Sequence, residues 1–500
     1  MLITQALSSG RGYDSVLVSQ RQWTLLLRTV GLASAVTLFS SFIGAGAAFL
    51  LQRLSAAARY VVAFVLTMPL VVPQHIMAIA WVDVLGRNGY LAQFVHIALP
   101  GTAPAPSPFN LFGAIFILSL TAFPIPMIAT LAGLHRFDQR LAEAARVGGQ
   151  HGGIFLRIAL PLLLPAIATG ALIVFALTAS SFAVPSLLQV TTYAVEIHAS
   201  SSMFDYASAT AQSLPLLALS AMVFIAWSVY VKPRHAWLSG SQRSIAIQPS
   251  PTVFTIALLF LLATITCIVP VAALFVRSLP LRTYASVWAT AHDEIFNGIV
   301  VSVVAASVFT PMTFALVCLS RQPVLRRILN TVALAAFILP GSLVALGMIG
   351  VWNRSGLFGA VYDSLLVLVL ACGTRFFALG DTLFPAAFAG HSARMQEAAA
   401  VAGLTWWRSL TMIVLPLTLP LIIVVWVLFF VFSLGEVDAA VLLCPPGQST
   451  FAVRLFSLMH YGPDSFVAAL CILTIASVGT VAACGATAAY VISRRVHRRA

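Results

Sequence analysis

The chain has 500 residues, 60% of them hydrophobic and only 8% charged, with a net charge of +13. Soluble domains carry roughly 25% charged residues, so length does not count soluble domains here and the chain is read as a membrane protein. The positive charge lies in short patches between apolar runs, the pattern of membrane-flanking loops, and no nucleic-acid partner is expected.

The N-terminal stretch MLITQALSSGRGYDSVLVSQRQ has no apolar h-region and no early basic cluster, so it is not a signal peptide; the first apolar run is expected to act as the membrane signal. About 20 apolar residues span a bilayer as a helix. Eleven such runs follow in chain order: 29–51, 60–82, 111–134, 159–184, 214–231, 253–276, 299–319, 328–352, 365–389, 414–435 and 466–492. The expected fold is therefore an all-α polytopic membrane protein of about 11 transmembrane helices. Several runs contain proline, such as Pro69 and Pro73 in the second, which bundled neighbours tolerate by re-satisfying the freed carbonyls. None shows the alternation of a membrane barrel.

Arginine and lysine set the orientation. With the C-terminal RRVHRRA in the cytoplasm, 18 of the 27 basic residues fall on the cytoplasmic side, and the N-terminus lies outside.

The run TVGLASAVTLFSSFIGAGAAFLLQR (29–53) has a counterpart in NGIVVSVVAASVFTPMTFALVCLSR (297–321), at an offset of 268. Each half then reads span, span, half-polar motif, span, span. The second half has an additional span in front, 253–276, and residues 1–28 resemble the loop that would follow such a helix. Either the first half lacks that helix or the true start lies upstream. The expected domains are a first half 1–235, a basic Ser/Pro-rich linker 236–251, and a second half 252–500. Six spans separate the two motifs, so both face the cytoplasm, as a parallel repeat requires.

The motifs are LAEAARVGGQHGGIFLRIALP (141–161) and QEAAAVAGLTWWRSLTMIVLP (396–416). In the second, Ser392 is an N-cap candidate, MQEAAAVA forms a short helix, and Gly403 can take positive φ and end it. LTWWRSLTMIV can form a second short helix, with Leu415-Pro416 opening the next span. In the first, Asp138 stands five residues before Glu143, Gly148-Gly149 make the break, and Leu160-Pro161 open the span. Each is expected to be a helix–turn–helix elbow, within about 135–160 and 390–415.

On these residues the chain resembles the permease subunit of a binding-protein-dependent ABC importer of the type I fold. In that family Glu-Ala-Ala, three residues, Gly, nine residues, Ile-x-Leu-Pro marks the loop whose coupling helix sits in a groove on the ATPase subunit. The second copy fits throughout, with Glu397, Ala398, Ala399, Gly403, Ile413, Leu415 and Pro416. The first, with Glu143, Ala144, Ala145, Gly148 or Gly149, and Pro161, is one residue short and has His151 and Gly152 where the second has Trp406 and Trp407. Two further segments are similar to the ferric-iron and thiamine branch. One is 435–462, with Glu436, Pro445, Pro446, Gly447, Thr450, Ala452 and Arg454. The other is 180–199.

The resemblance implies a bacterial inner-membrane permease that is not an enzyme and binds no cofactor. Its partners would be two copies of an ABC ATPase subunit, a periplasmic substrate-binding protein and the lipid bilayer. The chain's single lysine, Lys232, lies in YVKPRH and cannot serve a Walker A loop, so ATP hydrolysis is expected on a separate chain. Ferric iron ranks first as substrate, then thiamine, a polyamine or a phosphonate. The six cysteines form no CxxC or metal-ligand spacing, and His75 is expected to be packed or hydrogen-bonded rather than metal-binding.

Arg375 and Asp381 lie in the ninth run and Glu436 at the end of the tenth. Charges there cost roughly 2.5–3.5 kcal/mol each on insertion scales and should face the bundle interior or a wet cavity. They either line the translocation pathway and its outer gate or form structural pairs between helices. The i to i+6 spacing of Arg375 and Asp381 makes them poor partners for each other. An alternative function, an ion-gradient-driven secondary transporter with parallel repeats, would need buried carboxylates in both halves. A membrane enzyme would need a clustered catalytic site.

Overall fold

The computed structural model describes residues 19–98, 107–136, 160–231, 252–320, 322–387, 399, 401–459 and 462–499. Glu143, Ala144, Ala145, Gly148, Gly149, Glu397, Ala398 and the 236–251 linker lie outside these residues. Every regular element among them is helical.

The chain divides into two compact units, Ile3–Leu279 and Pro280–Ala500. The first contains α1 (Gln20–Leu51), α2 (Ala56–Val71), α3 (Gln74–Leu85), α4 (Tyr90–Ala98), α5 (Leu111–Ala122), α6 (Pro124–Arg136), α7 (Leu160–Ser180), α8 (Ala183–Leu187), α9 (Tyr193–Ser202), α10 (Tyr206–Ala226), α11 (Val253–Ala263) and α12 (Val269–Ser278). The second contains α13 (Arg282–Leu319), α14 (Pro323–Ile338), α15 (Gly341–Trp352), α16 (Leu357–Tyr362), α17 (Leu366–Ala387), α18 (Trp406–Ser409), α19 (Leu415–Leu434), α20 (Ala440–Leu443), α21 (Phe451–Leu458) and α22 (Asp464–Arg499).

Polar caps start the apolar helices. Ser19, Ser55, Asn110, Asp205 and Thr252 each accept from the backbone N–H three residues on, at the heads of α1, α2, α5, α10 and α11, which satisfies one of the orphan donors there. Inside the helices, hydroxyls such as those of Thr29, Thr130, Thr313 and Thr418 donate to the carbonyl four residues back. Such pairing leaves no bare donor in an apolar surrounding.

The repeat seen in the sequence is carried by the elements. Helices α1 and α13 end at Leu51 and Leu319, 268 residues apart like the sequence match. Next in each half come two helices meeting at a proline, α2/α3 at 94° and α14/α15 at 110°. The runs 60–82 and 328–352 are thus bent pairs, not straight spans. The cause is local. Val72 and Leu339 have ψ of 129° and 137°, the extended conformation that a following proline imposes, and Pro73 and Pro340 start the new helix. With each bent pair counted as one span, the described residues hold up to 11 candidate spans.

In the first unit α1, α6 and α7 pack against one another. A Cβ at Gly44 would lie 2.8 Å from Met127 N and one at Gly170 2.6 Å from Pro126 Cα, so both helices approach the start of α6 at backbone distance, the close approach that small residues permit between membrane helices. The run 253–276 lies in this unit as α11 and α12, against α2 and α3, and Arg277 Nε lies 3.4 Å from Asp83 Oδ1. In the second unit α13, α17, α19 and α22 form the bundle. Phe309 and Phe429 stack there, with Phe376 edge-on to Phe429.

The short helices α9 and α21 are braced in the same way within their own units. Thr29 Oγ1 accepts from Tyr193 N at 2.9 Å, and Asn297 Nδ2 donates to Ser449 O at 3.2 Å. Arg21 on α1 pairs with Glu196 on α9, whereas Glu294 on α13 pairs with Arg454 on α21. The pair is kept and its polarity exchanged.

Candidate functional site

The second elbow is built from Ala399 onward. Leu404 N–H donates to Ala399 O at 3.0 Å and Gly403 has a φ of +77°. These are the six-to-one bond and left-handed residue of a Schellman cap, so the short helix ending here stops at Gly403 because a side chain would strain that conformation. Ala399 is buried, while Val401 is 91% exposed.

A new helix starts at Trp406 and, contrary to the sequence expectation, runs into the membrane span without interruption to Leu434. Proline at 416 cannot donate to the carbonyl four residues back. A π-helical turn over Leu410–Val414 absorbs that missing bond, as such turns do inside α-helices. The same device, Thr264–Ile268, precedes Pro270. Ser409 and Val414 face inward. Trp407 and Met412 are exposed, as is Leu415 in part, and the Trp406 and Trp407 rings meet edge-on with centroids 4.7 Å apart. Of the first elbow the described residues include Pro161, in the first turn of α7.

The charged residues fall into two clusters at different levels of α17. Arg375 is buried and pairs with Glu436, with Asp438 Oδ2 at 3.8 Å from Nη2. Glu436 Oε1 also accepts from Ala439 N at 2.9 Å. The kink at Pro340 delivers the start of α15 to this cluster. A Cβ on Gly341 would lie 2.7 Å from Asp438 Cβ, 2.8 Å from Arg375 Nη1 and 2.9 Å from Glu436 Oε1. The carboxylates thus sit at a helix N-terminus, where the backbone dipole favours negative charge. Phe376 places its ring beneath the guanidinium, 5.7 Å away.

Asp381 is buried six residues along and turns elsewhere. Arg326 Nη1 lies 2.8 Å from Oδ1, and Asn330 Nδ2 donates to Oδ2 at 2.9 Å. Arg375, Asp381 and Glu436 are thus not one site: Arg375 and Glu436 are together and Asp381 is apart. Gly341, Arg326 and Asn330 were missed as partners. Arg326 and Asn330 stand four apart, on one face of α14, which is a readable signal. Gly341 left none.

At the matching places of the first unit, 254 residues earlier, stand Thr121, Met127, Phe182 and Val184 for Arg375, Asp381, Glu436 and Asp438. Phe182 instead packs on His198, ring centroids 3.9 Å apart. His75, on the first turn of α3, is packed as expected, 3% exposed, but its Nε2 has no hydrogen-bond partner. Among the described residues no group of three or more His, Cys, Asp or Glu is placed to hold a metal ion.

No family model matches the chain. A ferric transport system permease protein of Haemophilus influenzae, FbpB 1, is 22% identical over 445 residues, 84% of this chain and 70% of that protein. The molybdenum transport system permease protein ModB of Escherichia coli is 27% identical over 168 residues, 33% of this chain and 72% of its own. An inner membrane ABC transporter permease protein of Escherichia coli, YdcU, is 26% identical over 185 residues, 34% of this chain and 59% of its own. The described residues are helical with up to 11 candidate membrane spans, and the chain is similar over most of its length to permease proteins of ferric transport systems.

Proposed function

We propose that the chain is the fused, two-half permease of an ATP-driven importer in a bacterial inner membrane, and that it moves ferric iron delivered by a periplasmic binding protein. The observation that carries this reading is the doubled design: two elbow motifs, each opening a span on Leu-Pro, within one repeated series of helices. The similarity to a ferric permease over 84% of the chain supports it. So does the molybdenum permease, which aligns 72% of its own length with 33% of this chain, the proportion expected when one polypeptide carries two such units. Under the proposed topology 18 of 27 basic residues are cytoplasmic, and this positive-inside excess supports a cytoplasmic C-terminus.

The elbows dock on two copies of a separate ATPase. Closure of that pair on ATP draws the elbows together and turns the permease outward for loading. Glu143, Ala144, Ala145, Gly148, Gly149 and Pro161 serve one contact, and Glu397, Ala398, Ala399, Gly403, Leu415 and Pro416 the other. Arg375, Glu436 and Asp438 tie the kinked helix α15 to α17 and to the loop after α19, which makes them a latch near the outer gate rather than ligands of the cargo.

The test is copurification of the chain with its ATPase, with and without substitution of Glu397 and Gly403, together with uptake of labelled ferric iron. Loss of the ATPase and of uptake in the elbow variants is expected. Uptake that collapses with the proton gradient while ATP persists overturns the proposal. The molybdenum relatives make molybdate the second cargo to assay.

A further inference from the structure

The two units close the seam between their first and last helices differently. In the second unit α13 and α22 pack against one another. In the first, the corresponding α1 and α10 do not pack along their length, and a groove of roughly 560 Å³ opens between them. The corresponding hollow beside α13 and α22 holds only roughly 30 Å³. Pro215 lies within α10 and lines the groove, while Leu473 stands at the same distance from the start of α22, counted from Tyr206 and Asp464. A proline inside a helix removes one backbone hydrogen bond and crowds the turn before it, so α10 does not follow α1 as α22 follows α13.

The groove walls are apolar: Leu26 and Val30 on α1 face Leu214, Ala218, Leu219 and Met222 on α10. At one end stand Gln22 and the 58% exposed Trp23. Gln22 is 9% exposed, and its Oε1 is buried with no hydrogen-bond donor. A buried carbonyl left bare costs the desolvation of that group, so the mouth of the groove calls for a ligand with an N–H or O–H.

Length selects the occupant. The lining runs from Gln22 to Val30 and from Leu214 to Met222, about 12 Å on each helix at 1.5 Å per residue. The hydrocarbon core is about 30 Å thick. The groove therefore serves one leaflet. It is too short to seat a spanning helix and suits an acyl chain entering from the bilayer beside it.

We propose that this groove is a binding site for a phospholipid of the leaflet at the Gln22 end, its acyl chain between α1 and α10 and its headgroup donating to Gln22 Oε1. Under the topology proposed above that leaflet is the outer one; the site itself is defined by α1, α10 and Tyr193 at the head of α9. The acceptor selects headgroups that carry a donor, such as ethanolamine, over choline, which has none.

Native mass spectrometry of the full chain in detergent, titrated with phosphatidylethanolamine or phosphatidylcholine, tests this. One lipid should be held per chain, with ethanolamine favoured about fivefold, the scale of one hydrogen bond. Ala218→Phe fills the groove from an exposed position and should weaken both lipids about tenfold, as lost apolar contact predicts. Gln22→Leu should leave phosphatidylcholine binding unchanged and abolish the preference. Leu26→Phe, filling from the opposite wall, repeats the test should Ala218→Phe fail to fold. Undiminished binding in a folded groove-filled variant overturns the proposal, as does a preference that survives Gln22→Leu. A polypeptide that cross-links to position 218 in place of lipid also overturns it. No arm reads ATP or uptake, so failure here leaves the transport reading standing, and failure of transport leaves the lipid site standing.

Discussion

Arg326 holds Asp381 at two points: Nη1 lies 2.8 Å from the carboxylate Oδ1, and Nη2 donates to the backbone carbonyl of Asp381 at 2.8 Å. The pair joins α14 to α17, and Asn330 completes it from the same face of α14. Removing one member of a buried pair costs about 3–5 kcal/mol, mostly from the charge left behind, whereas replacing both with apolar groups can be nearly neutral. Arg326 keeps 21% of its side chain exposed, which places Asp381→Ala at the lower end, about 3 kcal/mol. The double variant Arg326→Met, Asp381→Leu should recover most of that loss. Unfolding of the purified protein in nanodiscs would show both, and a double variant as unstable as Asp381→Ala would contradict the argument.

Two glycines on α15 predict opposite outcomes. At Gly341 a new methyl would lie 2.7–2.9 Å from Asp438, Arg375 and Glu436, whereas at Gly347 it would meet nothing within 4 Å. Gly347→Ala removes a flexible residue from a helix interior and should stabilise by up to about 1 kcal/mol. Gly341→Ala must displace a buried ion pair and should destabilise by about 1–3 kcal/mol, the range of overpacked sites. If the charged cluster latches the outer end of the second unit, uptake should fall in Gly341→Ala alone. Equal melting and uptake in the two variants would remove the latch.

Phe204 sits where a glycine is expected. Its φ is +61°, and Asp205 N donates to Ser200 O at 3.1 Å, the same six-to-one cap that Gly403 makes in the elbow. The left-handed conformation costs an L side chain roughly 1–2 kcal/mol, and Phe204 is 79% exposed, beside an equally exposed Met203, so burial does not offset it. Phe204→Gly should therefore raise stability by about 1 kcal/mol, and Gly403→Ala should lower it by a similar amount. A Phe204→Gly variant that melts higher yet transports less would mark this tip as a contact for a partner outside the chain.

These residues also show what the sequence could reveal. The end of α1 and α13 was legible at one offset, because both runs close on the same pattern, and Gly403 was legible as a break, because left-handed backbone selects glycine. The bends at Pro73 and Pro340 were not. Prolines at 69, 165, 215, 311, 385 and 420 stay within helices, so the residue type alone does not separate a bend from a tolerated proline. The extended ψ of the residue before each bend does, and packing decides it. Arg375 meets Glu436 across 61 positions of sequence, a pairing that periodicity on α17 could not supply. The i to i+6 spacing did show that Asp381 would turn elsewhere. Phe204 broke the rule that made Gly403 readable.

Acid should loosen α9. Burial against Phe182 holds His198 neutral and pulls its pKa from 6.5 to about 4. A histidine whose folded pKa is depressed contributes stability that is fully present above its unfolded pKa. That stability is lost as pH falls from about 6.5 toward 4, because the unfolded chain binds the proton first. A shift of this size corresponds to at most about 3 kcal/mol. Glu196 lies two residues away and pairs with Arg21, so a pH profile of the wild type alone would mix two groups. The difference between wild type and His198→Gln isolates the histidine. Stability should fall between pH 6.5 and 4 more steeply in the wild type, and parallel profiles would show that His198 is not held neutral by the fold.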